Sequence, residues 1–292
     1  MRHAFLIIAH NNPEILYAQL DVLHSENADF YYHLDSRMQI DKNRLKDHAK
    51  ESKLFFVKSQ KIQWGDYSQI DCELRLLEAS IHSRIHYDYF HLLSGVDMPI
   101  KTFQTIDQFF ADHQGKEFIH FDSYNADCLY RERISFYHLF PGRLQWQIIL
   151  DGIFVKIQRM CKIDRIQKKG WTIQKGANWF SITQELAKWI VDKKKEVEKD
   201  FQYSFCADEV FLQTLVYNSK FRENLYWKMF DDDYHSCMRL VDWKRGNPYI
   251  FGKEDVDDLI DSDYMFARKF DYMQKPEAID TLRECLMVGS SK

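Results

Sequence analysis

The sequence has little that would mark a secreted, membrane-spanning or metal-stabilised chain. Its six cysteines occur without a Cys-x-x-Cys pair or zinc-type spacing, so neither a zinc site nor a disulfide framework is indicated. The first apolar run covers only residues 4–9, which is too short for a signal-peptide core or a membrane span. We therefore expect a soluble protein in a reducing, cytoplasmic setting.

The chain also lacks a large excess of positive or negative charge, and it lacks phosphate-binding glycine loops. The chain carries 40 basic and 44 acidic residues, closely mixed, which argues against a nucleic-acid partner. It has no Gly-x-Gly-x-x-Gly segment, Walker-type loop or Gly-x-Ser-x-Gly elbow, and this disfavours dehydrogenases, kinases and hydrolases. No repeat and no linker rich in proline, glycine or serine divides the chain, so we predict a single domain over residues 1–292.

The hydrophobic periodicity predicts alternating strands and helices. Apolar runs typical of strands lie at 4–10, 29–35, 53–59, 87–93, 116–122 and 177–183. Segments with apolar side chains at helical spacing are 12–24, 145–162, 184–200 and the stripe formed by Ile70, Leu74, Leu77 and Ile81. This alternation predicts an α/β fold with a mainly parallel central sheet flanked by helices.

Polar residues follow three of the predicted strands. His10 comes after the first strand, Asp35 after the second, and Asp97 just beyond the fourth. Ligands of doubly wound sheets bind beyond the carboxyl ends of the strands. We therefore expect a nucleotide-type site at this edge of the sheet.

Two adjacent carboxylates, Asp208 and Glu209, open the otherwise apolar segment FCADEVFLQTL at 205–215. Carboxylates in the first turn of a helix are stabilised by the helix dipole by about 0.3–1 kcal/mol each. A helix start alone therefore explains the pair, and the segment by itself leaves a chemical role open.

The sequence offers two places for a divalent cation. The acidic run Asp231–Asp233 lies late in the chain, where such runs are most often solvated loops. After the fourth strand there is only Asp97, and one carboxylate holds Mg²⁺ poorly because the ion takes about six oxygen ligands. A phosphate group bound there would need basic partners instead, and the candidates are Arg239, Lys244, Arg245, Arg268 and Lys269.

Eight segments occur in an order that resembles a known family. They are AFLIIAHNNPE, YYHLDSR, QWGDYSQI, YFHLLSGVDMPIKT, GANWFSIT, CADEVFLQTL, MRLVDWKRG and FARKFD. Together, over roughly residues 4–271, they resemble the core-2/I-branching β-1,6-N-acetylglucosaminyltransferase and protein xylosyltransferase family.

The resemblance implies a GT-A-like nucleotide-sugar transferase fold and an inverting transfer from a UDP-sugar without a metal ion or other cofactor. It makes Glu209 the catalytic base, places Asp35 at the uracil end of the donor, and assigns Arg239 and Lys269 to the diphosphate. Residues 1–122 would form the nucleotide-binding half and 123–292 the acceptor and catalytic half. The remaining donor-site candidates are His10, Trp64, Ser94, Asp97, Lys244 and Arg268. The acceptor-side candidates are Arg131, Arg133, Tyr137 and Trp179.

The transferred sugar stays open between N-acetylglucosamine and xylose, because different segments resemble different branches of the family. The resemblance is to the catalytic domain without the membrane anchor and stem of the animal members. It is compatible with a glycan or lipid-linked saccharide acceptor and with peripheral association at the inner membrane face. Two alternatives remain: a catalytically idle sugar-nucleotide or glycan-binding protein on the same fold, and a metal-dependent transferase that uses Asp231–Asp233.

Overall fold

Strands and helices alternate through the first third of the chain, as the periodicity predicts. The computed structural model describes residues 1–142, 144–230 and 233–289. Its strands are β1 (His3–Ala9), β2 (Ala28–Leu34), β3 (Leu54–Phe56), β4 (Tyr89–Ser94), β5 (Asp97–Pro99), β6 (Phe118–Ile119), β7 (Phe180–Thr183), β8 (Arg239–Val241) and β9 (Phe266–Arg268).

The helices surround the strands. They are α1 (Pro13–Leu23), α2 (Lys42–Ala49), α3 (Ser68–Ile81), α4 (Phe103–Asp112), α5 (Ala126–Tyr130), α6 (Glu132–Ser135), α7 (Gln145–Met160), α8 (Gln184–Asp192), α9 (Lys194–Phe201), α10 (Phe211–Tyr217), α11 (Val256–Asp261) and α12 (Pro276–Gly289). Short 3₁₀ turns lie at Gln167–Lys169, Ala207–Glu209, Lys220–Asn224, His235–Cys237 and Lys253–Asp255.

The central sheet has the strand order β3-β2-β1-β4-β7-β6. Strands β3, β2, β1 and β4 are parallel, whereas β7 is antiparallel to both of its neighbours. The α/β prediction is therefore confirmed, and the sheet is mixed. Strand β7 enters the sheet after the long excursion that begins at residue 123, and it returns in the opposite direction.

The core lies on both faces of this sheet because alternate residues of a strand point to opposite sides. In β1, Ala4 and Leu6 pack on the face covered by α3, α8 and α10. Phe5 and Ile7 pack on the opposite face against α1, α2 and α4. These four side chains are fully buried, which is why the run contains no polar residue after His3.

The helix predicted from one apolar stripe is confirmed as α3. Ile70, Leu74 and Leu77 lie in the core beneath the sheet. Burying each such side chain stabilises the fold by about 1.5–3 kcal/mol. Two polar residues of the same helix, Gln69 and Glu73, line the main cavity.

A small second sheet extends the first beyond the end of β4. Its order is β5-β9-β8, with β5 antiparallel and β8 parallel to β9. Apolar side chains of α1, α11 and α12 pack against it in a separate cluster. Because β8 and β9 carry Arg239 and Arg268, this sheet brings basic residues from late in the chain to the first half.

Several predicted boundaries were wrong. The strand predicted at 116–122 is only Phe118–Ile119, because the chain then turns to pair with the segment around Lys175. The helix predicted at 184–200 is divided into α8 and α9 at Lys193. Helices α2, α4, α11 and α12 and the small sheet were not predicted. The single-domain prediction and its division at residue 122 stay predictions.

Two further features of the described residues concern membrane-spanning helices and disulfides. None of the helices there is both long and apolar enough to span a bilayer. All six cysteines are free.

Candidate active site

The main cavity lies beyond the carboxyl ends of β1, β2 and β4, where the sequence predicts a site. Its volume is about 520 Å³, within the range of small-molecule pockets. The strand register brings the predicted residues together, because Ile8 of β1 lies opposite both His33 of β2 and Ser94 of β4. Consequently His10, Asp35 and Ser94 all line this cavity.

Asp35 is buried and holds its neighbour Arg37 at the cavity. One carboxylate oxygen accepts from the Arg37 Nε at 2.7 Å and from its backbone N–H at 2.9 Å. The other accepts from the Arg37 guanidinium at 2.7 Å and from the Ile62 N–H at 2.9 Å. These bonds, the Arg37 guanidinium first, hold the pKa of Asp35 well below its usual range.

The four bonds occupy the acceptor sites of the Asp35 carboxylate. As placed, Asp35 positions Arg37 and the loop at Ile62, and Arg37 is the member of the pair that reaches solvent. Arg37 was not predicted, although it stands two residues after Asp35 in the segment YYHLDSR. Direct contact between Asp35 and a uracil ring stays a prediction.

His10 lies near charges of both signs at the cavity. Burial lowers its pKa first, and the charges of Arg37 and Lys269 lower it further, while Asp35 opposes them. Lys269 therefore lies close to the cavity, although it is not among the described residues that line it. The charges of Arg37 and Lys269 thus act at the cavity, and cations of this kind suit an anionic ligand.

Arg268 lines the cavity and is fixed from two sides. Its guanidinium carbon lies 4.0 Å from the centre of the Trp179 ring. Its Nε lies 3.5 Å from a carboxylate oxygen of the buried Asp97. The other Asp97 oxygen accepts the Ser94 N–H at 2.6 Å, so Asp97 acts on the cavity through Ser94 and Arg268 rather than by lining it.

Trp179 was predicted on the acceptor side, but it lines the same cavity as the donor-site candidates. The reason is that β7 adjoins β4 in the sheet, so the segment that leads into β7 passes over the end of β4. Trp64 also lines the cavity, at its rim, with about half of its side chain exposed. Its ring meets Phe205 edge to face at 5.5 Å.

The sequence predicts a direct contact between Arg239 and a diphosphate. The structure instead places Arg239 beneath the cavity. Its side chain is 1% exposed and donates to the Cys237 and Phe180 carbonyls at 2.9 and 3.2 Å. Burial lowers its pKa to about 10, so the guanidinium remains charged near neutral pH. In this placement Arg239 ties β8 to β7 and contributes charge from below.

Lys244 was predicted at the donor site, but the structure places it elsewhere. It is exposed on the turn that follows β8, and its backbone N–H donates to Asp242. The described lining of the cavity does not include it. The adjacent Arg245 is bound by Asp242 and Asp255.

Glu209 lies on the 3₁₀ turn before α10, not in a helical first turn as predicted. The helix begins at Phe211 because Cys206, with φ 46°, turns the chain sharply just before the carboxylate pair. The Glu209 side chain is 41% exposed. Its Oε2 accepts from the Arg133 guanidinium at 3.1 Å and lies 3.7 Å from the Lys175 Nζ.

The backbone connects Glu209 to the cavity. Its carbonyl accepts the Gly176 N–H at 2.9 Å, and Asn178 and Trp179, which follow shortly after Gly176, line the cavity. Gly176 allows this approach, since a Cβ there would lie 1.8 Å from the His120 carbonyl oxygen. The segment GANWFSIT thus links the backbone of Glu209 to the cavity wall, although the described lining of the cavity does not include Glu209 itself.

A buried carboxyl group that sequence reasoning missed forms part of the cavity wall. Glu73 is 1% exposed, and neither of its carboxyl oxygens has a hydrogen-bond partner among the described residues. Burial raises its pKa well above the usual range, and the charge of Asp208 adds to the effect. The pKa of Asp208 is raised in turn to about 7, by burial and then by Glu209.

The acceptor-side candidates divide into two groups. Arg133 contacts Glu209, so it belongs to the site. Arg131 is occupied by Asp164 and Asp127 at 3.0 and 3.3 Å. Tyr137 lies by a separate cavity of about 280 Å³, where the Arg165 guanidinium stacks on its ring at 4.5 Å.

Lys175 joins the site without having been predicted. It contacts Asp122 as well as Glu209. Burial alone would lower its pKa, but the charges of Glu209 and Asp122 raise it overall. Lys175 is the last lysine of the basic stretch KKGWTIQKG at 168–176, and nothing in the sequence distinguishes it from the lysines before it.

No group of three or more histidine, cysteine, aspartate or glutamate side chains suited to a metal ion occurs within 1–142, 144–230 and 233–289. Of the acidic run that was considered for a cation, Asp231 and Asp232 lie outside the described residues. Metal independence stays a prediction.

Comparisons with known proteins agree on one family. Residues 3–258 match the description Core-2/I-Branching enzyme. The xylosyltransferase sqv-6 of Caenorhabditis briggsae is 23% identical over an alignment of 294 positions, which covers 93% of this chain and 35% of that protein. The xylosyltransferase oxt of Drosophila melanogaster is 24% identical over an alignment of 310 positions, which covers 98% of this chain and 33% of that protein.

The chain thus spans about a third of the length of these relatives. Among solved structures, the apo form of mouse xyloside xylosyltransferase 1 aligns with 91% of this chain and 97% of its own, at 9% identity and a TM-score of 0.39. The match to the family covers most of the chain and all of the cavity-lining elements except β9. Because this match spans well over half of the chain, the chain belongs to the Core-2/I-Branching enzyme family.

Proposed function

We propose that the chain is an inverting glycosyltransferase that moves xylose or N-acetylglucosamine from a UDP-sugar to a hydroxyl of a glycan acceptor, with Glu209 as the general base. Membership of the family supports sugar transfer, and the names of the relatives make UDP-xylose the first donor to test. The observation that carries the proposal is the position of Glu209. Its exposed carboxylate is held by two cations beside the segment that lines the cavity.

The base is needed because a sugar hydroxyl is a poor nucleophile. A positioned base contributes about 10²–10⁴ in rate. Both cations contact Oε2 of Glu209, and no described residue hydrogen-bonds to Oε1. We therefore assign the proton transfer to Oε1, with Arg133 and Lys175 fixing the orientation of the group.

The reaction would be a single displacement. The acceptor oxygen bonds to C1 of the sugar as the bond from C1 to the diphosphate oxygen breaks, and the configuration at C1 inverts. The proton of the hydroxyl passes to Glu209, and the electron pair of the broken bond leaves with UDP. Charge therefore builds on the diphosphate in the transition state.

Cations at the cavity would stabilise that charge. Arg268 lines the cavity and is held rigid by Trp179 and Asp97. Lys269 follows it, and its charge already acts on His10. Donors that are fixed before the reaction stabilise developing charge most effectively. Arg239 would add its charge from beneath and hold β8 in place.

The donor is tested by calorimetric titration of the purified chain with UDP, UDP-xylose and UDP-N-acetylglucosamine, each with and without EDTA. The proposal expects one sugar nucleotide to bind tightly in both conditions and to release UDP in the presence of a glycan acceptor. Failure of all three to bind would contradict it. Binding that requires a divalent ion would favour the metal-dependent alternative with Asp231–Asp233.

The burial of Arg239 favours one alternative, a binding protein without activity on the same fold. Such a protein would bind the sugar nucleotide without releasing UDP when an acceptor is added. Analysis of the nucleotide by chromatography after incubation separates the two functions, because transfer converts UDP-sugar to UDP. A glycan or a lipid-linked saccharide is the acceptor class that we propose, and work at a cytoplasmic membrane face is part of the same proposal.

A further inference from the structure

Helix α7 presents an apolar stripe to the outside of the molecule. The stripe follows the spacing of one helical face, at positions i, i+3, i+4, i+7, i+11 and i+14. Its six members are between 43% and 77% exposed: Trp146, Ile149, Leu150, Ile153, Ile157 and Met160. Exposed Leu139, Phe140 and Leu144 extend the apolar surface beyond the start of the helix.

The side of α7 that faces the protein makes polar contacts beside the half-buried Phe154 and Val155. Asp151 binds the His138 Nδ1 at 2.6 Å. The buried Gln158 accepts from the Tyr137 N–H and donates to the Tyr137 carbonyl, both at 2.8 Å. Arg159 forms a two-point ion pair with Glu132 at 2.6 and 2.9 Å. Helices on the surface of soluble proteins normally have the opposite arrangement.

The exposed apolar side of α7 indicates that the helix has a second contact surface. Contiguous exposed apolar patches of this kind mark a protein or membrane interaction site, because leaving them in water is unfavourable. The hydrogen bonds on the inner side fix the helix orientation, so the stripe does not turn inward. The occupant of the stripe must therefore come from outside the chain.

The charges beside the stripe favour an anionic surface. Among described residues 144–162, the exposed charged side chains are Lys156, Arg159 and Lys162. Since the charge of Arg159 is balanced by Glu132, the net positive charge there comes from Lys156 and Lys162. The one acidic residue there, Asp151, is turned towards His138. A second copy of the chain placed on the stripe by a twofold axis would bring the same cations close to each other, which is unfavourable.

We propose that α7 docks the protein on a membrane surface that contains anionic phospholipid. The helix is about 24 Å long at 1.5 Å per residue and would lie in the plane of the interface. Its stripe would enter the boundary between headgroups and acyl chains, with Lys156 and Lys162 at the phosphates. Trp146 has the amphipathic ring that such boundaries favour.

The docked helix would adjoin the site of transfer. The ion pair between Arg159 and Glu132 attaches α7 to α6, and the next residue, Arg133, contacts Glu209. A saccharide carried on a lipid would therefore be delivered near the base. This consequence rests on the proposed function, whereas the docking itself does not.

Flotation with vesicles tests the docking. The full chain is mixed with vesicles of phosphatidylcholine alone, or of three parts phosphatidylcholine to one part phosphatidylglycerol. We expect at least about tenfold stronger binding to the anionic vesicles, with a decrease at high salt. Equal or absent binding to both compositions would overturn the proposal.

Matched variants locate the contact. The double variant Ile153→Glu/Ile157→Glu should lose about tenfold or more of the vesicle binding, because it places charge in the stripe. Ile148→Glu is the control, since Ile148 is 54% exposed on the same helix but lies off the stripe. It should keep most of the binding. Equal binding by the double variant and the wild type would overturn the assignment.

Two further readouts keep the outcomes separate. Circular dichroism and UDP titration show whether each variant is folded. Sedimentation shows whether the wild type is a dimer that the double variant dissociates, and such a dimer without vesicle binding would contradict membrane docking. Transfer to a soluble acceptor without vesicle binding would overturn the docking alone, and vesicle binding without any transfer would overturn the proposed function alone.

Discussion

Gln69 donates a 2.8 Å hydrogen bond from its Nε2 to the carboxyl group of Asp208. The bond joins α3, which lines the cavity, to the turn that carries Glu209. The side-chain oxygen of Gln69 also accepts the Gly65 N–H at 2.8 Å, next to Trp64 at the rim. One amide thus fixes the distance between the cavity wall and the proposed base.

The Asp208 carboxyl group makes stability depend on pH. Its pKa is raised from 3.8 to about 7 in the folded chain, by burial and then by Glu209. The folded state therefore binds a proton more readily than the unfolded state, so rising pH lowers the free energy of unfolding between about pH 4 and pH 7. A shift of this size corresponds to at most about 4 kcal/mol.

Asp208→Asn should remove most of this dependence, because the amide does not titrate. Urea unfolding at several pH values measures it, with Asp47→Asn on the exposed side of α2 as the control. The gap in stability between the Asp208→Asn variant and the wild type should widen in favour of the variant as pH rises. A constant gap across this range would contradict the burial argument.

Arg239 and Lys269 should respond differently to substitution. Arg239→Met leaves the Phe180 and Cys237 carbonyls without their donor, so it should lower the free energy of unfolding by about 2–4 kcal/mol. Lys269→Ala should leave stability within about 0.5 kcal/mol and weaken UDP binding about tenfold.

Urea unfolding and calorimetric titration of UDP separate these effects. The account of Arg239 would be contradicted if the Arg239→Met variant kept wild-type stability but bound UDP more weakly. That result would place Arg239 on the diphosphate, as the sequence suggested.

The pattern of apolar residues was enough to predict the first half of the sheet. The apolar residues show a clear strand or helix period in β1, α1, β2, α3 and β4. The polar residues at the ends of the strands mark the cavity. The small sheet was missed because β8 and β9 have three residues each, too few for a period to show. Three-residue strands depend on partners far away in the chain.

Side-chain placement was harder to predict than the elements. The amino-acid sequence around Arg239 does not show that Phe180 and Leu92 would enclose its side chain. Glu73 follows Cys72 and precedes Leu74 on α3, so a helical pattern treats it as an ordinary edge residue. For α7 the helix was predicted, but the sequence does not say which side packs against the protein, and the apolar side is the outer one.

Gly176 should not tolerate a side chain. In Gly176→Ala the Cβ would lie 1.8 Å from the His120 carbonyl oxygen, a backbone atom that cannot move aside cheaply. We expect a loss of at least about 2 kcal/mol of stability. Because Gly176 binds the Glu209 carbonyl, transfer should also fall.

The control for this variant is Gly152→Ala. Gly152 lies in α7, and a methyl group added there would have nothing within 4 Å, so alanine should raise stability by up to about 1 kcal/mol. Thermal unfolding compares the two variants. Equal tolerance at both positions would show that the 176–179 segment is not held against residue 120.

The role of Glu209 is the central claim, and the variant Glu209→Gln tests it most directly. The amide keeps the size of the side chain and its contact with Arg133 but cannot accept the proton. Glu185→Gln on α8, where the carboxylate pairs with Lys220 at the surface, is the matched control.

The measurement is the rate of UDP release from the preferred UDP-sugar with an acceptor present, together with the dissociation constant for UDP. The account predicts that Glu209→Gln lowers the rate by at least about 10² while UDP binding stays within about twofold of the wild type. The Glu185→Gln control should match the wild type in both. A Glu209→Gln variant that transfers sugar at the wild-type rate would contradict the assignment.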